Sequence, residues 1–120
     1  MTSDHIKLKR VYEPVALEDG LRILVERLWP RGVSKEKAKI DDWAKEIAPS
    51  TELRQWYAHQ LARWPAFREK YTQELNANPE AVSYLRALCS GHQPVTFVYA
   101  AKDETHNSAI VLKHFMEGKA

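Results

Sequence analysis

The sequence predicts a single α/β domain built on a three- to four-stranded, mainly parallel sheet flanked by about four helices. Three observations carry that expectation. Strand-like segments come first, at Ile6-Lys7-Leu8-Lys9 and Leu21-Arg22-Ile23-Leu24-Val25. Helical periodicity then fills residues 50–91. Finally the chain returns to Pro94-Val95-Thr96-Phe97-Val98-Tyr99-Ala100-Ala101, apolar on both faces like a central strand covered on each side, before a polar loop and a last helix. With 120 residues there is material for one core and not two, so residues 1–120 are read as one domain.

Composition narrows the class. An apolar content of 44% and a charged content of 28% are ordinary for a folded chain and exclude global disorder. The net charge of +2 is a smaller excess than dedicated nucleic-acid binders gather. Cys89 is the only cysteine, which excludes an internal disulfide, and its apolar setting at a helix end reads as a buried structural thiol. Met1 to Lys9 lack the apolar core of a signal peptide, and no apolar run is long enough to cross a bilayer. A cytoplasmic protein with no membrane partner is therefore expected.

In chain order, Ile6-Lys7-Leu8-Lys9 alternates apolar and basic residues, as a strand with one wet face does, and Glu13-Pro14 ends it. Glu18-Asp19-Gly20 turns the chain into the second strand, and Ser34 caps one helical turn over residues 35–38. Residues 40–47 fit either period, because Ile40, Trp43, Ala44 and Ile47 have helical spacing while Trp43, Lys45 and Ile47 alternate; a short strand is the reading adopted. Ala48-Pro49 forces an extended exit, and Ser50 caps a helix with Glu52 in its first turn. Leu53, Trp56, Tyr57, Leu61 and Trp64 line one face of it. Pro65 starts a second helix with Phe67, Tyr71 and Leu75 inward, and Asn78-Pro79 opens a third that buries Val82, Leu85 and Cys89 and stops at Gly91. The last helix carries Ile110, Val111, Leu112, Phe115 and Met116.

Two polar corners stand out. In Glu26-Arg27-Leu28-Trp29-Pro30-Arg31-Gly32, two guanidiniums and an indole arrive where Pro30 and Gly32 turn the chain after a buried strand. Arginine offers a planar fork suited to carboxylate or phosphate. The second corner, Lys102-Asp103-Glu104-Thr105-His106-Asn107, lies between the strongest strand and the last helix, whose amino end favours an anion. In a parallel sheet both corners reach the carboxyl edge, where ligands sit. Arg27, Trp29, Arg31, Ser50, Tyr99, Lys102 and Asn107 are the candidate ligand-binding residues, and His106 with Asp103 the candidate proton-transfer pair. The bland account has Asp103 or Thr105 capping the helix, Ser50 acting only as a cap and Lys102 solvated. His5, His59, His92, His106 and His114 show no metal-ligand spacing, and no glycine-rich phosphate loop occurs, so neither metal nor cofactor is expected.

Several of these stretches carry a resemblance. Residues 26–32, the run Trp43-Ala44-Lys45-Glu46-Ile47-Ala48-Pro49-Ser50, Leu53-Arg54 with Trp56-Tyr57, and Val98-Tyr99-Ala100-Ala101-Lys102-Asp103 with His106-Asn107 resemble the YeaO-like branch of a bacterial family known as domain of unknown function four-eight-eight. That family has no agreed activity. Its longer relatives look to carry Cys-His-Arg where this chain has Thr105-His106-Asn107, so a thiol mechanism implied for them does not transfer and His106 is the shared group.

The expected function is that of a small enzyme or ligand-binding protein with a pocket for a phosphate, carboxylate or nucleotide anion. The alternative is a nucleic-acid-binding or regulatory module using Lys7, Lys9, Arg10, Lys35, Lys37 and Lys39. A third reading has the corners merely bracing loops, with Arg27 paired to an acid. Whether a reaction is catalysed, and the oligomeric state, stay open in the sequence.

Overall fold

The computed structural model describes residues 6–91 and 94–118. Strands β1 (Ile6–Arg10), β2 (Leu21–Leu24), β3 (Asp42–Trp43) and β4 (Val95–Tyr99) form one sheet in the order β1-β4-β2-β3, every pairing parallel. The helices are α1 (Lys35–Ala38), α2 (Thr51–Tyr57), α3 (Trp64–Asn76), α4 (Pro79–Gly91) and α5 (Ser108–Met116). The α/β class expected from the sequence is thus the observed one, with β4 buried along its whole length between β1 and β2.

Side-chain alternation along the central strands divides the core in two. Ile23, Val95, Phe97 and Tyr99 face the larger cluster, filled by Leu53, Phe67, Tyr71, Leu85 and Leu112 from α2 to α5. Leu24 and Val98 face a smaller one with Ala38, Trp29 and Trp43. On that thinner side the amino end of the sheet also holds a charged knot. Asp19 pairs with Arg22 at 2.7 Å and with Lys9 at 2.9 Å, and the Arg22 guanidinium donates twice more to the Ala38 carbonyl. Lys9, Ala16 and Arg22 together hold the Asp19 carboxyl below its usual range, although burial alone would raise it.

Two stretches differ from expectation. Residues 40–47 do begin as a strand, but only Asp42 and Trp43 pair, with Ile23 and Leu24, before Lys45–Ile47 winds into a 3₁₀ turn. The turn tucks Ile47 into the larger core, where its carbonyl accepts from the Tyr71 hydroxyl. The helix after Ser50 stops at Tyr57 instead of running on to Trp64, because Ala58 and His59 both take left-handed conformations (φ 46° and 57°). Each costs about 1 kcal/mol or more for a residue with a Cβ. The break is offset by aromatic packing, since it lets Tyr57 and Trp64 both stack on Phe67, with centroids 4.5 and 5.7 Å away. Trp56 and Leu61, expected on the buried face, are left exposed. Asn78 precedes α4 as expected, but its side-chain amide donates to the Glu46 carbonyl.

The strand order sets where a crevice must open. From β2 the chain leaves toward α1 and β3, while from β4 it leaves through α5, which packs on β1 and is tied there by Lys113 Nζ donating to the Ile6 carbonyl. Neighbouring strands whose exits diverge make a topological switch point, the usual ligand crevice of an open parallel sheet.

Pairing of β2 with β4 starts at Gly20, where φ is 65° and an added Cβ would lie 2.1 Å from the Pro94 carbonyl oxygen. That oxygen accepts from Leu21 N–H, the first rung of the ladder. Gly32 has a similar φ of 77° but open space around it. Gly20→Ala is therefore expected to cost about 3 kcal/mol or more in urea unfolding, and Gly32→Ala about 1 kcal/mol. Equal losses would show that backbone conformation, and not the approach to Pro94, limits position 20.

Candidate functional site

One residue past β2, Val25 N–H still donates to the Val98 carbonyl, so the chain stays beside β4 as far as Glu26. The Glu26 side chain then turns to the end of β4 and accepts from Ala100 N–H at 2.8 Å. Burial pushes this carboxyl above its ordinary value, opposed by that hydrogen bond and by the charges of Arg54 and His59. The other side of the same stretch is fixed from β1: Arg10 Nε donates to the Ala101 carbonyl at 2.8 Å.

Above this floor lies a cleft of about 660 Å³. Its polar lining comes from Glu26, Arg54, His59, Lys102, Asp103 and His106, and its apolar lining includes Pro49, Tyr57 and Phe67. A hollow of this size with an apolar body and a few convergent polar groups is the usual form of a small-molecule site. The left-handed pair Ala58 and His59 is what carries the imidazole of His59 to its edge.

Asp103 organises the rim. Its Oδ1 accepts from the backbone N–H groups of Thr105 and His106, both at 2.9 Å, and its Oδ2 lies 3.1 Å from His106 Nδ1. The Thr105 amide, together with the His106 ring and the other donors, draws its carboxyl down to about 2. A carboxylate that acidic is a weak base, and its oxygens are occupied. The His106 ring lines the cleft, with its Nδ1 within hydrogen-bond reach of both Asp103 and the Thr105 hydroxyl. The His106 and Trp64 rings meet T-shaped with centroids 5.2 Å apart, and the His106 carbonyl accepts from the Tyr57 hydroxyl. The cap of α5 is Asn107, whose Oδ1 accepts from Ile110 N–H, and not Asp103 or Thr105.

Of the residues singled out in the sequence, Lys102, Asp103, His106 and Asn107 line the cleft. Arg27, Trp29, Arg31, Ser50 and Tyr99 lie outside its lining. Arg27 donates to the Ala48 and Pro49 carbonyls, which steadies the extended exit before α2, and it pairs with no acid among the described residues. Trp29 donates to the Val33 carbonyl and packs edge-on against Trp43. Arg31 is exposed, and its carbonyl accepts from the Tyr12 hydroxyl. Ser50 caps α2 and bonds to Glu74. Tyr99 is buried in the larger core.

Sequence reasoning missed Glu26, Arg54, Tyr57 and His59. Arg54 and Tyr57 had a signal, being three apart on a helix that leaves Pro49 and so sharing one face. His59 had none, since its position depends on the left-handed break.

Other candidates fall elsewhere. Cys89 is buried and its thiol pushed up to about 11 by desolvation, as a structural cysteine would be. His5 and His92 lie outside the described residues, and among those described no group of three His, Cys, Asp or Glu could hold a metal. Lys7, Lys9 and Arg10 spend their charged groups on the Glu18 carbonyl, on Asp19 and on the ends of β4, while Lys35, Lys37 and Lys39 stand exposed on and after α1. Among the described residues no helix is long and apolar enough to cross a membrane.

Fold and cleft together define a small parallel α/β protein whose charged hollow sits at the switch point of its sheet. Residues 5–120 match the family described as the inactive DUF488-N3 subclade, and the chain belongs to that family. It is 43% identical over 112 residues to the uncharacterized protein YeaO of Escherichia coli K12, covering 93% of this chain and 96% of that one. It is 39% identical over 114 residues to the uncharacterized proteins Rv3073c of Mycobacterium tuberculosis H37Rv and Mb3100c of Mycobacterium bovis, covering 95% of each partner. No solved structure matches the chain significantly.

Because the folded state raises the Glu26 pKa above its ordinary 4.5, the native protein holds a proton that the unfolded chain has released between those two values. Stability from this group is full below the unfolded value and falls as pH rises through the folded one. Glu26→Gln, which mimics the neutral form, is expected to gain on the wild type as urea midpoints are followed from about pH 4 to about pH 8. Parallel profiles would show that the carboxyl is not desolvated.

Proposed function

We propose that this protein binds a small organic anion, bearing phosphate or carboxylate and including nucleotides, in the cleft at the carboxyl edge of its sheet, and that it does so without turning the ligand over. The observation that carries this reading is the state of the cleft's cations. Arg54 and Lys102 line the hollow, and neither closes an ion pair among the described residues. Elsewhere the comparable cations Lys9 and Arg22 are paired with Asp19. Unspent positive charge around an apolar-walled hollow favours an anion with an organic body.

Binding without catalysis is favoured by three further points. Asp103 is fixed and too acidic to serve as a base at neutral pH. The thiol expected of longer relatives is replaced by Thr105, whose hydroxyl bonds to Asp103. The matching subclade is itself described as inactive. A nucleic-acid interface has less support, since Lys7, Lys9 and Arg10 are already engaged within the fold.

Thermal unfolding in the presence of inorganic phosphate, nucleoside monophosphates and small polycarboxylates tests the reading. At saturation, a ligand of the right class is expected to raise the midpoint by about 5 °C or more. Arg54→Ala and Lys102→Ala should each remove most of that rise, and Arg31→Ala, outside the cleft, should keep it. An undiminished rise in the Arg54 and Lys102 variants would place the anion elsewhere, and no rise with any anion would refute the reading.

A further inference from the structure

The cleft is not uniformly positive, and a half-buried acid, Glu26, sits where an anion should least tolerate it. Glu26 lies against the sheet edge, whereas His59 and Lys102 are exposed at the rim. One Glu26 oxygen, Oε2, is fixed by Ala100 N–H. Oε1 has no hydrogen-bond partner among the described residues, yet it is not sealed from the hollow that Glu26 lines. Arg54 and His59 are close enough to act on the carboxyl electrostatically, but neither forms an ion pair with it. Asp103, the other acid of the lining, has both oxygens engaged by its own loop. Glu26 is therefore the acid in the cleft with acceptor capacity to spare.

In the empty cleft water reaches Oε1, but a ligand that fills the hollow displaces it. A carboxylate oxygen then covered without a donor is unfavourable, and beside a bound anion it is more so. Both penalties vanish if the ligand brings the donor. We infer that the ligand is an anion that also carries a hydrogen-bond-donating, cationic nitrogen, and that Glu26 is the residue that recognises this nitrogen. The inference rests on the anion-binding reading above and adds the second end of the ligand: a protonated amine or amidine seated against Glu26 at the floor, with the phosphate or carboxylate among Arg54, His59 and Lys102 nearer the rim. A site built to satisfy a donor discriminates strongly against an analogue lacking it, because the acceptor is then left buried and unpaired.

Matched probes separate the two layers of the argument. Calorimetric titration compares ω-aminoalkyl phosphates with plain alkyl phosphates of equal length, over chains of about two to six carbons, sized to span a hollow of this kind. The wild type is expected to bind the amine-bearing member at least about tenfold more tightly at the chain length that bridges the cleft, the scale of a hydrogen bond to a charged group. Glu26→Gln should erase that preference while still binding both phosphates, and Arg54→Ala should weaken both members of the pair alike. Equal affinity in the wild type at every length overturns the role given to Glu26 and leaves the anion reading standing. A preference that survives Glu26→Gln overturns it too. Binding of neither probe at any length removes the anion reading and this inference with it. The wild-type comparison decides the matter even if the Glu26 variant proves too unstable to assay.

Discussion

The hydrogen bond from Ala100 N–H to Glu26 joins the two strand ends between which the sheet divides its traffic. β2 and β4 run in register to Val25 and Val98 and then part, one toward β3 and the other toward α5. Backbone amides just beyond a strand have lost their ladder partner and need another acceptor. Glu26 supplies one for Ala100, while Arg10, reaching from β1, holds the Ala101 carbonyl. The last residues of β4 are thus held from both neighbouring strands, and the loop from Lys102 to Asn107 starts from a fixed point. The cleft owes its floor to this clamp and its rim to the Asp103 turn.

Charge is deployed in opposite ways at the two ends of the sheet. At the amino end, Asp19, Arg22 and Lys9 are close-paired, and Arg22 is buried with its guanidinium engaged. Breaking such a knot is expensive, since any member removed strands the others, but the knot leaves no capacity for a ligand. At the carboxyl end, among the described residues, Arg54 and Lys102 close no ion pair and Glu26 Oε1 has no hydrogen-bond partner. One end spends its charges on holding the protein together, and the other leaves them without ion-pair partners among the described residues. Left-handed Ala58 and His59 belong to the second end, where backbone strain commonly accompanies a site.

Much of this was legible in the sequence where a signal is local or periodic. The apolar run through Val95 to Tyr99 announced a central parallel strand, and Ser34 and Ser50 announced their caps. The loop before α5 was recognised as a polar corner for the same reason. What could not be read was which cation faces which hollow. Arg27 and Arg31 follow β2 directly, yet Arg27 is drawn to the Ala48 and Pro49 carbonyls, whose N-terminal neighbours in sequence give no hint of the approach. Arg54 reaches the cleft only because the fold brings α2 and the residues after β4 to one hollow, a tertiary fact. Residues 40–47 were ambiguous for a physical reason: a two-rung strand followed by one 3₁₀ turn satisfies both periods briefly and neither for long.

Nuclear magnetic resonance followed through a titration with inorganic phosphate tests the central claim most directly. If the clamp between Glu26 and Ala100 fixes an anion-receiving cleft, the backbone amides of Ala100, Lys102 and Ser108 and the Nε–H of Arg54 shift together and saturate on one isotherm, while Arg31 and the lysines of α1 stay still. Shifts confined to Arg31, Lys35 and Lys37, or scattered without a common isotherm, would contradict the account.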